Sequence, residues 1–385
     1  MTAPLTILGT GHAGYTLAKE WRRLMPDAPL RLITRDDGAN YYKPNISKAF
    51  ASGKDAQGLV MGAATQMAEQ LKAEVLVCTG ATRIVAAEHR IEAGAQRYEY
   101  SKLVLAVGAQ PIRVPIAGNA AEAVHTVNDR EDYARFRDGL HQGAHVLVVG
   151  AGLVGSEFTN DLAANGYRVT VVDPMAWPLS RLLPEACGRA LEAALTALGV
   201  DWRWGCTVKS LETQGGPISA TLSDGNSVQV DRVLSAVGLR PRLELAREAG
   251  IACEKGIVVD DFLQTSLPDI YALGDCIQIN GGLLPFILPI AHASRALAQT
   301  LSGKPTHAVF PAMPVIVKTP ACSTLVCPPA VFNGAWDVQG TAPDLAAIYH
   351  DADGKPTGFA LTGAAVAEKR GEFTKIMPPV HAPKI

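Results

Sequence analysis

The sequence lacks the paired cysteines of a disulfide framework. Its seven cysteines are odd in number and include no CxxC pair. Such a set is typical of reduced thiols, so we expect a cytoplasmic protein. Cys322 and Cys327 are the closest pair, and we interpret them as small apolar residues beside a strand, with a redox couple as the alternative. The seven are Cys78, Cys187, Cys206, Cys253, Cys276, Cys322 and Cys327.

The sequence also lacks an uninterrupted apolar run and an excess of one charge. The most apolar segment, residues 282–301, is broken by Pro285, Pro289, His292 and Arg295, which indicates a buried helix that starts at a proline. The formal net charge of -2 argues against an overall attraction to nucleic acid or anionic membranes. No basic segment with an apolar run precedes the predicted strand Leu5–Leu8, so we expect no secretory signal.

The chain does contain a strand that runs directly into a glycine-rich turn and a helix. Residues 5–14 read LTILGTGHAG, and the helical stretch Tyr15–Leu24 follows. In this pattern Gly9 permits the tight turn, Gly11 lets the backbone approach a pyrophosphate, and Gly14 permits close packing of helix on strand. The free N–H groups at the helix start are suited to bind phosphates.

A second predicted strand, Leu30–Thr34, should end beside a nucleotide ribose. Asp36 follows Gly14 by 22 residues (36 − 14), close to the ~20 typical of an acidic ribose acceptor. We favour Asp36 as this acceptor. Its neighbour Asp37 is one alternative, and a solvated turn without a ligand role for either acid is another.

The same pattern occurs a second time, in residues 145–158, which read HVLVVGAGLVGSEF. The next strand, Arg168–Val172, ends at Asp173, which follows Gly155 by 18 residues (173 − 155). A carboxylate there accepts from a free 2′-OH and repels a 2′-phosphate, so we predict NADH rather than NADPH, although Arg181 could weaken that preference. Two such fingerprints predict two dinucleotides, an FAD that stays bound and a nicotinamide that exchanges.

Two small-residue turns and an acidic turn complete the pattern. Residues 105–111 read LAVGAQP and residues 233–241 read VLSAVGLRP, one for each nucleotide unit. Residues 266–276, SLPDIYALGDC, are interpreted as a strand that ends in Gly274-Asp275. Between the fingerprints, β-like runs predict a three-stranded insertion that leads back to the parallel sheet. These runs are Val75–Val77, Arg83–Ala86, Tyr98–Tyr100 and Leu103–Ala106.

In this order the motifs resemble the two-dinucleotide-binding-domain flavoproteins of the pyridine nucleotide–disulfide oxidoreductase superfamily, over about residues 5–301. The resemblance implies an α/β fold with two Rossmann-like domains, for FAD and NADH, plus a small α+β C-terminal domain. The predicted FAD-binding domain is discontinuous, residues 1–110 and 242–305. The NADH-binding domain comprises residues 111–241 and the C-terminal domain residues 306–385.

Residues 41–48, YYKPNISK, stand where disulfide reductases of this superfamily carry CxxxxC and where NADH oxidases and peroxidases carry one cysteine. The segment is similar to the xRPPLSK segment of flavin reductases that serve ferredoxin, putidaredoxin and rubredoxin. Pro44, Ser47 and Lys48 match it, while Lys43 replaces Arg, Asn45 replaces the second Pro and Ile46 replaces Leu. WRRLMPDAPLRLITRDDG, VNDREDYARFRDGL, MPVIVKTPAC and GFALTGAAVAEK extend the similarity to bacterial rubredoxin–NAD(+) reductases.

That similarity implies hydride transfer from NADH to tightly bound FAD, and then transfer of single electrons to the iron of rubredoxin. No acid–base residue is required, because the cofactors carry the hydride chemistry, and no metal site is expected. Lys48 and Glu157 would form a charged pair beside the isoalloxazine. Each could instead be an ordinary surface lysine or a charge at a helix start.

Motifs and resemblance together define the predicted cofactor contacts. Those for FAD are Gly9, Thr10, Gly11, His12, Ala13, Gly14, Thr34, Asp36, Lys43, Ala81, Ala106, Gly108, Gly274, Asp275, Ile287 and Lys318. Those for NADH are Gly150, Gly152, Leu153, Val154, Gly155, Glu157, Asp173 and Gly238.

Because rubredoxins are typically acidic, we expect a basic docking rim near the flavin edge. Its candidates are Lys43, Lys48, Arg113, Arg295 and Lys318. The C-terminal residues are fewer than in the dimerisation domains of disulfide reductases, which implies a monomer. Strands are expected at Val315–Lys318, Thr324–Cys327, Ala346–Tyr349 and Gly358–Leu361, and a helix near Ala364–Phe373.

Three other functions stay open at this point. The acceptor could be the ferredoxin of an oxygenase system, or Cys322 and Cys327 could act as the couple of a thiol-based reductase. The chain could also be a flavin-bound redox sensor without turnover. The pathway, alkane hydroxylation (alkane degradation) or oxidative-stress defence, does not follow from the sequence.

Overall fold

The structure, a computed structural model, describes residues 3–382 and is built around two parallel sheets and one antiparallel sheet, each of five strands. The helices are α1 (His12–Leu24), α2 (Ala64–Leu71), α3 (Arg130–Arg137), α4 (Leu153–Ala164), α5 (Glu185–Thr196), α6 (Glu244–Glu248), α7 (Ile287–Leu301) and α8 (Ala365–Ile376). Short 3-10 turns cover Lys43–Lys48, Ala86–Glu88 and Ala121–Ala123.

The first parallel sheet has the fully buried strand Leu5–Leu8 at its centre. In spatial order its strands are Ile270–Ala272, Lys102–Leu105, Leu5–Leu8, Leu30–Ile33 and Glu74–Leu76. Helices α1 and α7 pack on each other and on this sheet, where they enclose a continuous apolar cluster. The edge strand from residue 270 onward comes from far along the chain, so this unit is assembled from two separated segments.

The second parallel sheet repeats this design around the strand His145–Val149. Its strands, in spatial order, are Val124–Thr126, Arg232–Ser235, His145–Val149, Arg168–Asp173 and Asp201–Trp204. Four of the five residues of the central strand are buried, as expected for a parallel strand covered on both faces. Helix α4 follows this strand and lies against it.

A two-stranded ribbon links the two parallel sheets. Ala109–Pro111 pairs antiparallel with Leu239–Pro241, and Gln110 lies opposite Arg240. Gly108 and Gly238 immediately precede the two strands with φ of +66° and +117°, values that glycine adopts without strain. The predicted domain limits near residues 110 and 241 fall in this ribbon, and the domain boundaries stay a prediction.

The remaining small sheets are antiparallel or mixed. The insertion after the first fingerprint has three strands, but the expected run Val75–Val77 belongs to the parallel sheet instead. The middle strand of the insertion, Arg90–Ala93, was missed because two of its four residues are charged. These small sheets comprise Arg83–Val85, Arg90–Ala93 and Gln96–Glu99; Val208–Glu212, Ile218–Leu222 and Ser227–Val230; Ile257–Val259, Ile277–Ile279 and Gly282–Leu283; and Asn40–Tyr41 with Val60–Gly62.

The C-terminal sheet is antiparallel and has two differently used faces. One face packs with α5 and the apolar cluster of the second parallel sheet, and the other is covered by α8. The strand Ala335–Thr341 was not expected, because most of its residues are exposed. The strands, in spatial order, are Val315–Val317, Thr324–Cys327, Pro356–Thr362, Asp344–His350 and Ala335–Thr341.

Within residues 3–382 no helix combines the length and the apolar character that crossing a bilayer demands. The segment that is most apolar in the sequence ends in α7, a helix of 15 residues that begins at Ile287.

Candidate flavin and nicotinamide site

The two glycine-rich turns lie where each central strand meets its helix. A Cβ atom at Gly9, where φ is +111°, would lie 2.4 Å from the carbonyl oxygen of Ala106, and one at Gly14 would lie 1.9 Å from that of Gly9. At Gly11 a Cβ would meet no atom of the described chain within 4 Å. Packing therefore demands glycine at the first and third positions, while the second borders open space that a phosphate can occupy.

The second turn repeats this geometry. A Cβ at Gly150 would lie 2.9 Å from the carbonyl oxygen of Ala236, and one at Gly155 would lie 1.9 Å from that of Gly150. Gly152 again has no atom of residues 3–382 within 4 Å of such a Cβ. Gly11 and Gly152 are the N-caps of α1 and α4, and neither first turn contains an acidic residue, so the helix-start N–H groups are suited to an anion.

Asp36 and Asp37 have different partners. Asp36 Oδ1 accepts bonds from Thr34 Oγ1 at 2.7 Å, Thr10 Oγ1 at 3.3 Å and the Gly38 N–H at 3.0 Å. Asp37 instead forms an ion pair with Arg130 of α3. Asp36 is exposed and has no ion-pair partner among residues 3–382, so of the two acids it is the better suited to accept from a ribose.

Asp173 stands at the end of its strand and supports the second turn. Its Oδ2 accepts the Ala151 N–H at 2.6 Å and its Oδ1 accepts the Met175 N–H at 2.8 Å. Each oxygen keeps a second lone pair for a ribose hydroxyl. Arg181 lines a cleft with Trp177 and forms no ion pair with Asp173.

The loop that carries YYKPNISK brings Lys43 toward the acidic turn. Lys43 Nζ donates to Asn128 Oδ1 at 2.7 Å. Burial lowers the pKa of Lys43, and the charge of Asp275 opposes that shift. Burial likewise raises the pKa of Asp275, opposed by Lys43. A Cβ at Gly274 would lie 2.9 Å from the Ala13 Cβ, so the acidic turn also packs against the first glycine turn.

Glu157, in the second turn of α4, is 5% exposed and is the centre of a buried charge network. Its Oε2 accepts from Ser47 Oγ at 2.6 Å and lies 2.6 Å from Lys318 Nζ. Its Oε1 accepts the Lys318 backbone N–H at 3.1 Å. One carboxylate thus joins the YYKPNISK loop, α4 and the C-terminal sheet.

This network corrects the predicted charged pair of Lys48 and Glu157. Lys48 is exposed and has no ion-pair partner among residues 3–382. On the 3-10 turn the buried Ser47 side chain points inward and donates to Glu157, so the side chain of the next residue, Lys48, points to solvent. Sequence reasoning missed Ser47 as a site residue, although its match to the xRPPLSK segment was the signal that could have found it.

The other predicted FAD contacts are distributed around the first turn. Thr10, Thr34 and Ala106 are buried, and Ala81 is half-buried in the loop after the strand Glu74–Leu76. His12 begins α1, where burial lowers the pKa of its imidazole. Its ring meets that of Tyr42 edge-to-face, with centroids 5.5 Å apart.

The remaining predicted residues lie at element ends. Ile287 is the first residue of α7, and Leu153 and Val154 begin α4 with their side chains half-buried and exposed, respectively. Gly108 and Gly238 flank the linking ribbon described above. Their roles toward FAD and NADH stay predictions.

The predicted basic rim is only partly available. Lys43 and Lys318 donate to Asn128 and Glu157, so they are committed inside the molecule. Lys48, Arg113 and Arg295 are exposed. A docking rim built on lysine and arginine would therefore use these three.

The two cysteines of the thiol-based alternative lie on different faces of the C-terminal sheet. Cys322 packs in the apolar cluster shared with the second parallel sheet, whereas Cys327 packs in the cluster under α8. Burial raises the pKa of both thiols, that of Cys327 to about 11. These positions favour the interpretation as apolar core residues.

Residues 3–300 match the family model described as pyridine nucleotide-disulphide oxidoreductase, and residues 307–377 match the model described as rubredoxin binding C-terminal domain. The chain belongs to the pyridine nucleotide–disulphide oxidoreductase family. This membership confirms the predicted α/β fold, the oxidoreductase class and the two cofactors, FAD and NADH.

Curated relatives within this family are similar over nearly the whole chain. The rubredoxin–NAD(+) reductase of Alcanivorax borkumensis is 42% identical, over 97% of this chain and 100% of its own length. That of Acinetobacter baylyi is 41% identical, over 97% of this chain and 98% of its own. The predicted resemblance to rubredoxin–NAD(+) reductases is confirmed.

Solved structures of the family share the fold. Putidaredoxin reductase, in a covalent complex with putidaredoxin, has a TM-score of 0.87 at 24% identity and covers 98% of this chain and 94% of its own. The NADH:rubredoxin oxidoreductase of Clostridium acetobutylicum has a TM-score of 0.82 at 19% identity, with coverage of 98% and 95%. At these identities the likeness concerns architecture alone.

We predict opposite effects for two glycine substitutions in the second turn. Gly155→Ala should destabilise the fold by about 3 kcal/mol, because its Cβ would overlap the Gly150 carbonyl. Gly152→Ala should cost about 1 kcal/mol or less but raise KM for NADH about tenfold, because a methyl group would fill the phosphate space. Urea unfolding and steady-state NADH oxidation measure both effects. Equal loss of stability in the two variants would contradict the assignment.

Removal of the lysine from the buried network should leave an uncompensated carboxylate. We predict that Lys318→Met lowers the free energy of unfolding by about 3 kcal/mol, since Glu157 would lose its charge partner. The double variant Lys318→Met/Glu157→Gln should recover most of that loss. Lys375→Met, at an exposed position of α8, is the control and should change stability by about 0.5 kcal/mol or less. If Lys318→Met lowered the free energy of unfolding no more than Lys375→Met does, the Glu157–Lys318 pair would contribute nothing to stability.

Thiol reactivity should separate the exposed cysteine from the buried ones. Burial raises the pKa of Cys187 and Cys276 to about 12, and only the thiolate attacks a disulfide reagent. At about pH 8 the native protein should therefore react with an aromatic disulfide reagent first at exposed Cys78, and all seven thiols should react after unfolding. Rapid native labelling of Cys322 and Cys327 together would revive the thiol-based alternative.

Proposed function

We propose that this chain is an NADH-dependent reductase of rubredoxin. The observation that carries the proposal is the loop of residues 41–48, which places Ser47 on the buried Glu157–Lys318 pair where related disulfide reductases have redox cysteines. The region matched by the rubredoxin-binding model supplies Lys318 to that network. FAD, when bound, supplies the conversion of a hydride's electron pair into single electrons.

The chain's own residues would bind and orient the two dinucleotides. The helix starts at Gly11 and Gly152 border open space and offer free N–H groups to the pyrophosphates. Asp36 and Asp173 would accept from the ribose hydroxyls of FAD and NADH, respectively. Lys43, held by Asn128 and facing Asp275, would bring a positive charge beside the FAD.

No thiol of the YYKPNISK loop can relay electrons, since the loop contains no cysteine. The acceptor must therefore approach the flavin itself. The exposed residues Lys48, Arg113 and Arg295 would attract an acidic carrier. We assign the protein to the cytoplasm, because its thiols are unpaired, and expect a monomer.

A ferredoxin is the second candidate acceptor, favoured by the shared architecture with putidaredoxin reductase. The 42% identity to a rubredoxin–NAD(+) reductase outweighs it, because the likeness to putidaredoxin reductase, at 24% identity, concerns the fold. A redox sensor without turnover is less well supported, because the given sequence shows no low-complexity segment or interaction tail that would favour it.

Rapid mixing of the NADH-reduced protein with purified carriers tests the proposal. We expect the reduced protein to reduce rubredoxin at least about tenfold faster than it reduces a ferredoxin. It should also reduce rubredoxin at least about tenfold faster than free reduced FAD does. The rate should fall as ionic strength rises, because screening weakens attraction between an acidic carrier and a basic rim. The visible absorbance of rubredoxin iron is the measurement.

Two outcomes would contradict this prediction. Faster reduction of ferredoxin than of rubredoxin would transfer the function to the second candidate. A protein that binds FAD and NADH but reduces neither carrier nor ferricyanide would favour the sensor.

A further inference from the structure

Asp161 lies one turn of α4 beyond Glu157 and is a second buried carboxylate on the same helix. It is 3% exposed and belongs to no predicted contact with FAD or NADH. Its Oδ2 accepts the backbone N–H of Phe50 at 3.0 Å, and its Oδ1 accepts that of Ala51 at 3.0 Å. One carboxylate therefore holds two successive N–H groups of a segment 110 residues away in the sequence.

The segment it holds directly follows the YYKPNISK loop. Its 3-10 turn, Lys43–Lys48, is fastened at its start by Lys43 on Asn128 and near its end by Ser47 on Glu157. Asp161 provides the fastening immediately after the turn. The Phe50 ring is enclosed edge-to-face by the rings of Tyr133, Phe136 and Tyr167, with centroids 5.2 to 6.3 Å away.

Such a fastening is demanding in its chemistry. An ionised carboxylate accepts at both oxygens, whereas an amide accepts at its one oxygen and donates at its nitrogen. Burial raises the pKa of Asp161, and the two backbone N–H groups and Arg137 oppose that shift. If an amide replaced the carboxylate, its NH2 group would face one of the two loop N–H groups, and that buried donor would lose its acceptor.

We propose that Asp161 is a positioning residue that holds the YYKPNISK loop against the nicotinamide-binding helix, so that Lys43 and Ser47 keep their places at the flavin. The proposal rests on the proposed function, because it assumes that these two residues serve the FAD site. The same helix begins directly after Gly152, where the NADH pyrophosphate would bind, so one helix would set the positions of both cofactors relative to each other. Misplacement of reacting groups by about 1 Å is enough to slow a reaction strongly.

The test compares Asp161→Asn with the unchanged protein in its FAD-bound form. We expect the visible circular dichroism of bound FAD to change. The dissociation constant of FAD, measured by titration of the apoprotein, should rise about tenfold. With NADH and ferricyanide, kcat should fall about tenfold while KM for NADH changes less than about threefold, because the nicotinamide turn itself is untouched. If Asp161→Asn does not fold, Asp161→Ser, which leaves room for water beside the two N–H groups, replaces it.

Gln278→Ala is the matched control. The buried Gln278 Oε1 likewise accepts two successive backbone N–H groups, of Lys255 and Gly256 at 2.9 and 3.2 Å, in a different loop. This variant should lower the melting temperature but leave the flavin dichroism and FAD affinity unchanged. An Asp161 variant with unchanged flavin dichroism and FAD affinity would overturn the proposal. Changes of the same size in the dichroism and FAD affinity of Gln278→Ala would overturn it too.

Failure of the proposed function would look different. A protein that reduces ferricyanide with NADH but not rubredoxin would contradict the acceptor, while the dichroism, FAD affinity and ferricyanide kinetics of Asp161→Asn would still decide the positioning role.

Discussion

The arrangement of the site depends on one buried interaction, the carboxylate of Glu157 with its donors. A carboxylate that is almost wholly removed from water is costly unless it is paired and hydrogen-bonded. Here the ammonium and the backbone N–H of Lys318 come from the C-terminal sheet, and the Ser47 hydroxyl comes from the loop of the first nucleotide unit. Since α4 carries the carboxylate, the charge can be satisfied only when three distant segments meet. The need to pair the Glu157 carboxylate therefore fixes the positions of the YYKPNISK loop, α4 and the segment of Lys318 relative to one another.

The glycine turns impose the complementary constraint, one of space rather than charge. In each turn the first and third glycines allow backbone atoms to approach to distances that exclude any Cβ, while the middle glycine borders an empty volume. Close packing draws the helix start onto the strand end, and its free N–H groups then converge on that volume. The same three-residue arrangement, built twice, therefore leaves a space suited to a phosphate at the start of each of the two helices.

Much of this could be predicted from the sequence, for reasons that are local. Strand, turn and helix in LTILGTGHAG follow from local sterics and apolar pattern, and the number of residues to Asp36 or Asp173 follows from the length of the helix and strand between. The partner of Glu157 could not be predicted in this way. Lys48 and Ser47 are adjacent in the sequence, and only the direction of the 3-10 turn decides which of them points inward. The strand Arg90–Ala93 escaped because two of its four residues are charged, and Ala335–Thr341 escaped because most of its residues are exposed and form no buried face.

The loop without cysteines acquires its meaning from these two constraints together. In a thiol-based relative the loop would carry electrons, so its side chains would be reactive. Here Ser47 donates to a carboxylate, Lys43 donates to Asn128 and the following backbone is held by Asp161, all of them static bonds. A loop that is tied at three points can hold a cofactor but cannot shuttle electrons away from it. The electron acceptor must then be a separate molecule, and the region that supplies Lys318 to the site is also the one that matches a rubredoxin-binding domain.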